Sequence, residues 1–307
     1  MRALLVVNPT ATAASARVRD VLAQALASET TLEVRETKAR GHATELARTA
    51  VAERAALVVA LGGDGTVNEV VNGLLADGPA PGLPALGVVP GGSTNVFARA
   101  LGLPEQAVEA VGDLLEALRA GRRRRIGLAR ADERWFTFCA GLGLDAEVVR
   151  RVEHRRAAGR RTTPALFVRE AVHEFFTGST DRSHPPLRLS GPGLEPQRLG
   201  LALVCNTSPW TYLGSRPVRP CPDASFDSGL DVFGLRSLGT VSTLRHLRQI
   251  LSPRPLPSGR HLVALHDLSD VTISAGRPMP FQVDGDDLGD RTSVRLRACP
   301  DALDVFA

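Results

Sequence analysis

Five residues, Gly62-Gly63-Asp64-Gly65-Thr66, set three glycines around one carboxylate where an apolar run ends and a helical pattern begins. Glycine lets a backbone approach a polyphosphate closely, and the amides and dipole at a helix start favour negative charge. A carboxylate in such a turn does not attract phosphate. It fits a holder of Mg2+ or an acceptor of the proton of an attacking hydroxyl. An ordinary strand-to-helix turn, with aspartate as N-cap, would need one glycine at most. Three familiar phosphate sites are excluded. Gly63-x-Gly65-x-x-Asn68 lacks the last small residue of a dinucleotide fingerprint. The single lysine, Lys38, lies in no Gly-Lys-Ser/Thr context and on no strand that could serve a protein kinase.

Two further constellations could join this chemistry. Pro90-Gly91-Gly92-Ser93-Thr94-Asn95 is a second glycine-rich turn whose hydroxyls can hydrogen-bond a nucleotide, and it precedes the helical Val96-Phe97-Ala98-Arg99. Asp284-Gly285-Asp286-Asp287 gathers three carboxylates; alone it reads as a solvated turn, and beside a bound phosphate it supplies a general base. Gly141-Leu142-Gly143-Leu144-Asp145-Ala146 matches a loose Gly-x-Gly-x-x-Ala pattern, but it falls among strands and reads as a tight turn. His42 reads as a capping or core histidine, and the seven histidines have no metal spacing.

Residues 1 to about 121 alternate strand and helix patterns: strands over Leu4 to Val7, Thr31 to Glu36, Leu57 to Leu61 and Ala85 to Val89, with helical segments such as His42 to Glu53 between them. Alternation of this kind predicts a parallel sheet covered by helices, with ligands at the strand C-termini. The loops at Asn8 to Ala13, Gly62 to Thr66 and Pro90 to Asn95 all fall there. Beyond Gly121, short strands at Ile126 to Arg130, Trp135 to Ala140, Leu187 to Ser190 and Leu199 to Cys205 give β-sandwich patterning, interrupted by one helix near Thr163 to Thr177. Gly178 to Pro196 and Ser252 to Arg260 read as loops.

The 307 residues suffice for two domains, and 43% hydrophobic with 23% charged residues is an ordinary globular composition. Met1 to Val7 is too short for a signal peptide and reads as the first strand, and no apolar run approaches a membrane span. Cys139, Cys205, Cys221 and Cys299 lack paired spacing, which argues against zinc and disulfides and for a reducing cytoplasm. Positive charge gathers at Arg122 to Arg125 and at Arg150, Arg151, Arg155, Arg156, Arg160 and Arg161; either run could attract an anionic membrane or be a solvated face. Nucleic acid is disfavoured because aromatics are 4% and do not interleave with the basic runs.

Together these residues resemble the diacylglycerol kinase catalytic family, bacterial lipid kinases that share a fold with sphingosine and ceramide kinases. The matching segments are Asn8-Pro9, Thr37 with Gly41-His42-Ala43, Gly62 through Gly73, Gly92-Ser93-Thr94-Asn95 with Phe97-Ala98-Arg99, Gly141 through Ala146, Asn206, Ser225 through Val232, and Asp284-Gly285-Asp286. The resemblance implies an α/β plus all-β fold: a three-layer, Rossmann-like nucleotide domain over 1–124, joined by a returning tail at 302–307, and a β-sandwich lipid domain over 125–301. It implies ATP and Mg2+, with nucleotide contacts at Asn8, Pro9, Thr10, Ala11, Thr12, Thr37, Gly62, Gly63, Asp64, Gly65, Thr66, Val67, Asn68, Gly92 and Ser93.

By the same resemblance Asp286 takes the proton of the acceptor hydroxyl where the family has glutamate; in the mechanism this suggests, Asp284 would orient it and Asp64 would hold metal or water beside the γ-phosphate. The chain departs from the family at Val96, where an aspartate is usual, and at Ser225 and Ser228, where acids usually hold a structural Mg2+. Asp227 is one position off. The implied activity is transfer of the γ-phosphate of ATP to a lipid hydroxyl, diacylglycerol or a relative, in phospholipid metabolism by a cytoplasmic, peripherally membrane-associated enzyme. NAD kinase, which shares the Gly-Gly-Asp-Gly turn, and a non-catalytic lipid- or nucleotide-binding protein of this fold are the rival readings. Trp135, Phe138, Phe175, Trp210 and Tyr212 suggest apolar contacts, and Asp145 either greets a polar head group or caps a turn. A homodimer is compatible with the chain, although oligomeric state leaves no sequence signature.

Overall fold

The computed structural model describes residues 1–11, 16–157, 164–177 and 185–307. The chain divides into two compact units, Met1–Leu128 with Pro300–Ala307, and Ala129–Cys299.

The first unit runs β1 (Arg2–Val7), α1 (Ala16–Glu29), β2 (Thr31–Glu36), α2 (His42–Ala52), β3 (Leu57–Gly62), α3 (Asp64–Leu74), β4 (Ala85–Pro90), α4 (Val96–Ala100) and α5 (Ala107–Ala120). Its strands are parallel in the order β4-β3-β1-β2. The interior strands β3 and β4 are buried throughout, whereas edge strand β2 is largely exposed and protects its edge with Glu33, Arg35 and Glu36. Leu5, Leu22, Leu26, Leu57, Leu61, Val89 and Leu114 share one apolar core. Val305 and Phe306, at the chain's end, lie parallel to Leu86 and Gly87 of β4. The first arginine run is engaged with this returning segment. Arg125 donates to the Asp301 carbonyl at 2.9 Å, and the Arg123 guanidinium sits 4.9 Å from the centre of the Phe306 ring.

From β1 the chain moves out to β2, and from β3 it moves the other way to β4. The loops after β1 and β3 therefore flank the point where strand order reverses, the usual ligand crevice of an open α/β sheet. Helix α3 is locked there by its own motif residues. The Glu69 carboxylate accepts the Gly41 amide at 2.9 Å and the Ala43 amide at 3.1 Å, capping α2, whose N-cap glycine has no side chain to offer. A Cβ on Gly73 would lie 2.4 Å from the Thr44 carbonyl oxygen, so glycine sets the close crossing of α2 and α3.

The second unit continues from β5 (Arg124–Ala131) through β6 (Arg134–Phe136), β7 (Cys139–Gly143), α6 (Leu144–Ala157), α7 (Pro164–Thr177), β8 (Leu187–Gly191), β9 (Leu194–Leu199), β10 (Leu201–Cys205), β11 (Thr211–Leu213), β12 (Arg216–Val218), β13 (Leu230–Leu235), α8 (Thr240–Ile250), β14 (Leu262–Leu268), β15 (Asp270–Val283) and β16 (Asp286–Phe306). Strands β15 and β16 form a long irregular hairpin, with a register shift between Ser274 and Met279. One end of β15 pairs with β7, extending the antiparallel order β14-β13-β10-β7-β15; its other end pairs with β8, which pairs with β9. Residues of both strand groups, including Leu142, Val204 and Val232 with Leu189, Leu199 and Ile273, belong to one buried cluster.

Several local expectations change. Trp135 to Ala140 is two strands, because Thr137 and Phe138 leave the ladder to bind a carboxylate described below. Leu199 to Cys205 divides at Gly200, and 194–196 lie in β9, not a loop. The single expected helical insertion becomes α6 and α7, and α8 is a third helix in this unit. Helix α6 escapes notice because arginines dominate its sequence, while Ala146, Val149 and Val152 carry its buried face.

Substituting Gly73→Ala should destabilise the protein by about 1–3 kcal/mol through this overpacking. A urea midpoint equal to that of the parent would show that the helix crossing is not close.

Candidate active site

The first loop is organised by Asn8. Its Nδ2 donates to Thr66 Oγ1 at 3.0 Å, and its Oδ1 accepts the Thr10 amide at 3.0 Å and the Thr10 hydroxyl at 2.8 Å. The loops after β3 and β4 then meet through bare backbone. The Gly91 amide donates to the Gly62 carbonyl at 2.7 Å. A Cβ on Gly92 would lie 2.7 Å from Gly63 Cα, and one on Gly91 would lie 3.0 Å from Gly62 Cα. Gly62 also has Thr66 against it, its own hypothetical Cβ falling 2.7 Å from Thr66 Cβ. Asn95, in the left-handed region at φ 50°, closes the second loop: its Oδ1 accepts the Gly92 amide at 2.9 Å and its Nδ2 donates to the Gly92 carbonyl at 2.8 Å.

Asp64 occupies the first turn of α3, yet its carboxylate serves α4. Oδ2 accepts the Val96 amide and Oδ1 the Phe97 amide, each at 3.0 Å. Asp64 thus caps a helix, the role the sequence reading had set aside, and does so across the two loops, on a different helix from the one it begins. Val96, where the family carries a carboxylate, is a buried side chain.

Of the residues expected around the nucleotide, Gly65 and Ser93 are exposed, and Gly63, Asp64, Gly92 and Thr37 are half-buried. Val67 and Asn68 are instead only 2% and 1% exposed. Val67 packs into the unit and its amide closes on Gly63, while Asn68 accepts hydrogen bonds from Asn72. Direct side-chain contact with a nucleotide is therefore closed to both. Pro9, Thr10 and Ala11 lie in the loop that Asn8 orders, and Thr12 falls outside the described residues. Gly65 is the informative position. A Cβ there would meet nothing within 4 Å, and its φ is not in the left-handed region. Neither packing nor backbone strain requires glycine, although glycine costs a helix about 1 kcal/mol relative to alanine.

In the second unit, Asp284 and Gly285 are the two central residues of the β15–β16 hairpin turn, at φ 49° and 82°. Asp284 is buried and accepts four hydrogen bonds: the Thr137 amide at 2.7 Å, the Thr137 hydroxyl at 2.9 Å, and the Phe138 and Cys139 amides at 3.0 Å. Burial raises its pKa, and the amides of Cys139, Phe138 and Thr137 oppose that rise. Asp284 is thus a clamp between the turn and the β6–β7 connection, a commitment that the role of orienting Asp286 did not foresee. Asp286 follows at the start of β16, half-buried and opposite Val283.

The Gly141 to Ala146 motif gains a purpose that its loose pattern did not disclose. Strand β7 runs directly into α6 at Gly143, φ 89°, so the motif is a strand-to-helix junction and not a turn between strands. A Cβ on Gly141 would lie 2.3 Å from Asp145 Oδ2, so glycine makes room for that carboxylate. Asp145 accepts Gln282 Nε2 at 2.7 Å, and Gln282 Oε1 accepts the Gly285 amide at 3.0 Å. A chain of hydrogen bonds therefore joins Asp145 to the aspartate turn. Burial pushes the Asp145 pKa to about 6, with the Gln282 bond opposing.

The second arginine cluster is largely spent inside the protein. Arg150 pairs with Asp287 at 3.0 Å and with Asp290, Arg151 with Glu174 at 2.6 Å, and Arg155 with Glu170 at 3.5 Å. The side chain of Arg156, and Arg160 and Arg161 altogether, fall outside the described residues. Trp135 and Phe138 are core side chains, leaving Phe175, Trp210 and Tyr212 half-buried. Where the family holds a structural Mg2+, the Ser225 and Ser228 hydroxyls lie 3.3 Å apart, and Ser228 Oγ bonds the Ser225 carbonyl. Among the described residues no group of three or more His, Cys, Asp or Glu could hold a metal ion. The residues present do not fit a protein-held Mg2+ at that turn. His42 closes a turn, its Nδ1 accepting the Lys38 amide at 3.0 Å.

Comparison with known proteins shows what the chain is similar to. Residues 2–131 match the diacylglycerol kinase catalytic domain. That match spans less than half of the 307 residues. A diacylglycerol kinase of Bacillus subtilis is 41% identical over 107 residues, 35% of this chain and 33% of the relative. The match thus spans about a third of that relative's length. A diacylglycerol kinase of Staphylococcus carnosus is 25% identical over 269 residues, 81% of this chain and 76% of the relative. In fold, the chain is similar to a crystal structure of a diacylglycerol kinase from Bacillus anthracis, with TM-score 0.73, 19% identity and 99% and 96% of the two chains covered. It is more distantly similar to an NAD kinase from Archaeoglobus fulgidus solved in complex with ATP, with TM-score 0.52, 12% identity and 100% and 94% covered.

Because the folded-state pKa of Asp145 lies above that of a free aspartate, the native state binds the extra proton between about pH 4 and 6, and this group's contribution to stability falls as pH rises through that window. Asp145→Asn should therefore be more stable than the parent at pH 7–8, by about 1–3 kcal/mol, with the difference closing near pH 4. Parallel stability curves for the two proteins would contradict the assignment.

Proposed function

We propose that the protein is an ATP-dependent lipid kinase that transfers the γ-phosphate of ATP to the hydroxyl of diacylglycerol or a related lipid. The observation that carries the nucleotide half is the exposed, unhindered Gly65 in the first turn of α3, at the strand-order switch and beside two mutually packed glycine loops. In the proposed site the backbone of Gly62 to Thr66 and of Gly92 and Ser93 cradles phosphate, Asn8 to Thr12 and Thr37 flank the nucleotide, and Asp64 fixes the loops while standing near the γ-phosphate. Mg2+ arriving with ATP would neutralise phosphate charge.

Asp286 is assigned the proton of the acceptor hydroxyl. The lipid oxygen attacks the γ-phosphorus, the bond to the β-phosphate oxygen breaks, and ADP leaves. Aspartate reaches less far than the family's glutamate, and the clamped Asp284 together with the Asp145–Gln282–Gly285 chain holds the turn within the second unit. Most of the rate would come from positioning and charge stabilisation, with a general base contributing about 10²- to 10⁴-fold. Peripheral contact with the membrane follows from the acceptor, and cytoplasmic location and a homodimer are part of the same reading. The match of residues 2–131 to the diacylglycerol kinase domain favours this activity over NAD kinase.

Gly65→Ala separates a functional glycine from a structural one. Stability should hold or rise slightly, because alanine favours the helix, while ATP affinity should fall at least about tenfold through the methyl group placed against phosphate. Unchanged affinity would remove the proposed seat. Asp286→Asn should lower kcat about 10²-fold or more with ATP affinity retained. In a labelled-phosphate assay on lipids in mixed micelles, with NAD as soluble control, label should appear on a lipid. Label on NAD alone would establish the rival kinase.

A further inference from the structure

Helix α8 is built inside out for a water-soluble protein. It buries His246 and Ile250, whereas Val241, Leu244 and Leu247 are 84%, 59% and 46% exposed. At 3.6 residues per turn these three form one stripe, with Arg245 and Arg248 alongside, both exposed. The buried side is held by polar and aromatic contacts: His246 meets the Phe233 ring edge-on at 6.3 Å, and its Nδ1 lies 2.9 Å from Gln249 Oε1. Gln249 in turn donates to the Ser258 carbonyl at 3.1 Å, tying the following loop to the helix. That loop carries Leu256, 79% exposed, and Arg254. The three exposed leucines among the described residues all lie in this helix and loop.

Charge decides what such a face can meet. Residues 232–266 contain Arg236, Arg245, Arg248, Arg254 and Arg260 and neither aspartate nor glutamate. Arg236 is committed to the carbonyls of Arg260 and Leu262 and to Gln197. The remaining four have no acidic partner within their own segment. A second copy docking by the same face would set arginines against arginines. An anionic bilayer instead offers negative head groups to the arginines and an acyl boundary to the valine and leucines, the arrangement of an interfacial amphipathic helix.

We infer that α8 and the loop after it form a membrane-docking surface that inserts Val241, Leu244, Leu247 and Leu256 at the boundary of an anionic leaflet. It rests on the lipid-kinase reading for its purpose but not for its physics. It also differs from the Arg150–Arg161 cluster, whose described members are engaged in internal ion pairs.

The test compares the whole protein with a Val241→Ser, Leu244→Ser, Leu247→Ser variant, whose changes are all at exposed positions, after a thermal melt shows equal folding. Both are floated with phosphatidylcholine vesicles and with vesicles containing about one-third phosphatidylglycerol. The parent should bind the anionic vesicles preferentially, and the variant should bind at least about tenfold more weakly. In parallel, the variant should lose transfer to long-chain diacylglycerol in those vesicles yet keep it on a dispersed short-chain diacylglycerol. Equal vesicle binding by both proteins, or no binding by the parent, overturns the docking surface, as does a variant that only dissociates a dimer on a sizing column. If neither protein phosphorylates the short-chain substrate, the kinase reading fails, and the vesicle comparison still decides the docking surface.

Discussion

Two loops touch through backbone alone, Gly62-Gly63 against Gly91-Gly92, and the arrangement of the first unit's candidate site depends on that contact. A side chain at Gly63 or Gly92 would drive the loops apart, and a single hydrogen bond, Gly91 amide to Gly62 carbonyl, registers them. Their approach brings the start of α4 within reach of Asp64 and leaves the first turn of α3 open at Gly65. Gly62, demanded by packing against Thr66, and Gly65, left without structural reason, stand three residues apart in one motif, and the contrast separates scaffold from seat.

Three acidic residues from the recognisable motifs share one physical device. Asp64 accepts two consecutive amides of α4, Glu69 two amides at the start of α2, and Asp284 three consecutive amides of the β6–β7 connection. A carboxylate bonded to several amides is strongly held, because each bond is charge-assisted and the alternative is an unmet donor. Rigid loops follow in both units. The chemistry is proposed for their neighbours, the exposed turn at Gly65 and the half-buried Asp286.

Much of this was legible in the sequence, and what was hidden has a physical cause. The strands of the first unit announce themselves as apolar runs ended by glycine turns, and the glycine loops fall at strand ends as the alternation requires. The roles of Glu69 and Gln282 were hidden because each acts on amides or carboxylates far along the chain; only the missing side chain of N-cap Gly41 hinted that α2 needed an acceptor from elsewhere. Val67 and Asn68 carried the family's expectation of nucleotide contact, yet the helical phase of α3 turns them inward. Helices α6 and α8 were missed for opposite reasons. Arginines mask the buried face of α6, whereas α8 does carry an amphipathic pattern in its sequence, Val241, Leu244 and Leu247 at helical spacing, which went unrecognised and whose apolar stripe faces outward.

We propose that the loops after β1, β3 and β4 seat the phosphates of ATP. Hydrogen exchange measured with and without ATP·Mg2+ tests it most directly. Slowed exchange is expected at the amides of Asn8, Thr10, Ala11, 62–66 and 91–95, with the exposed edge strand β2 unchanged. Protection confined to other segments, or none at saturating nucleotide, would contradict it.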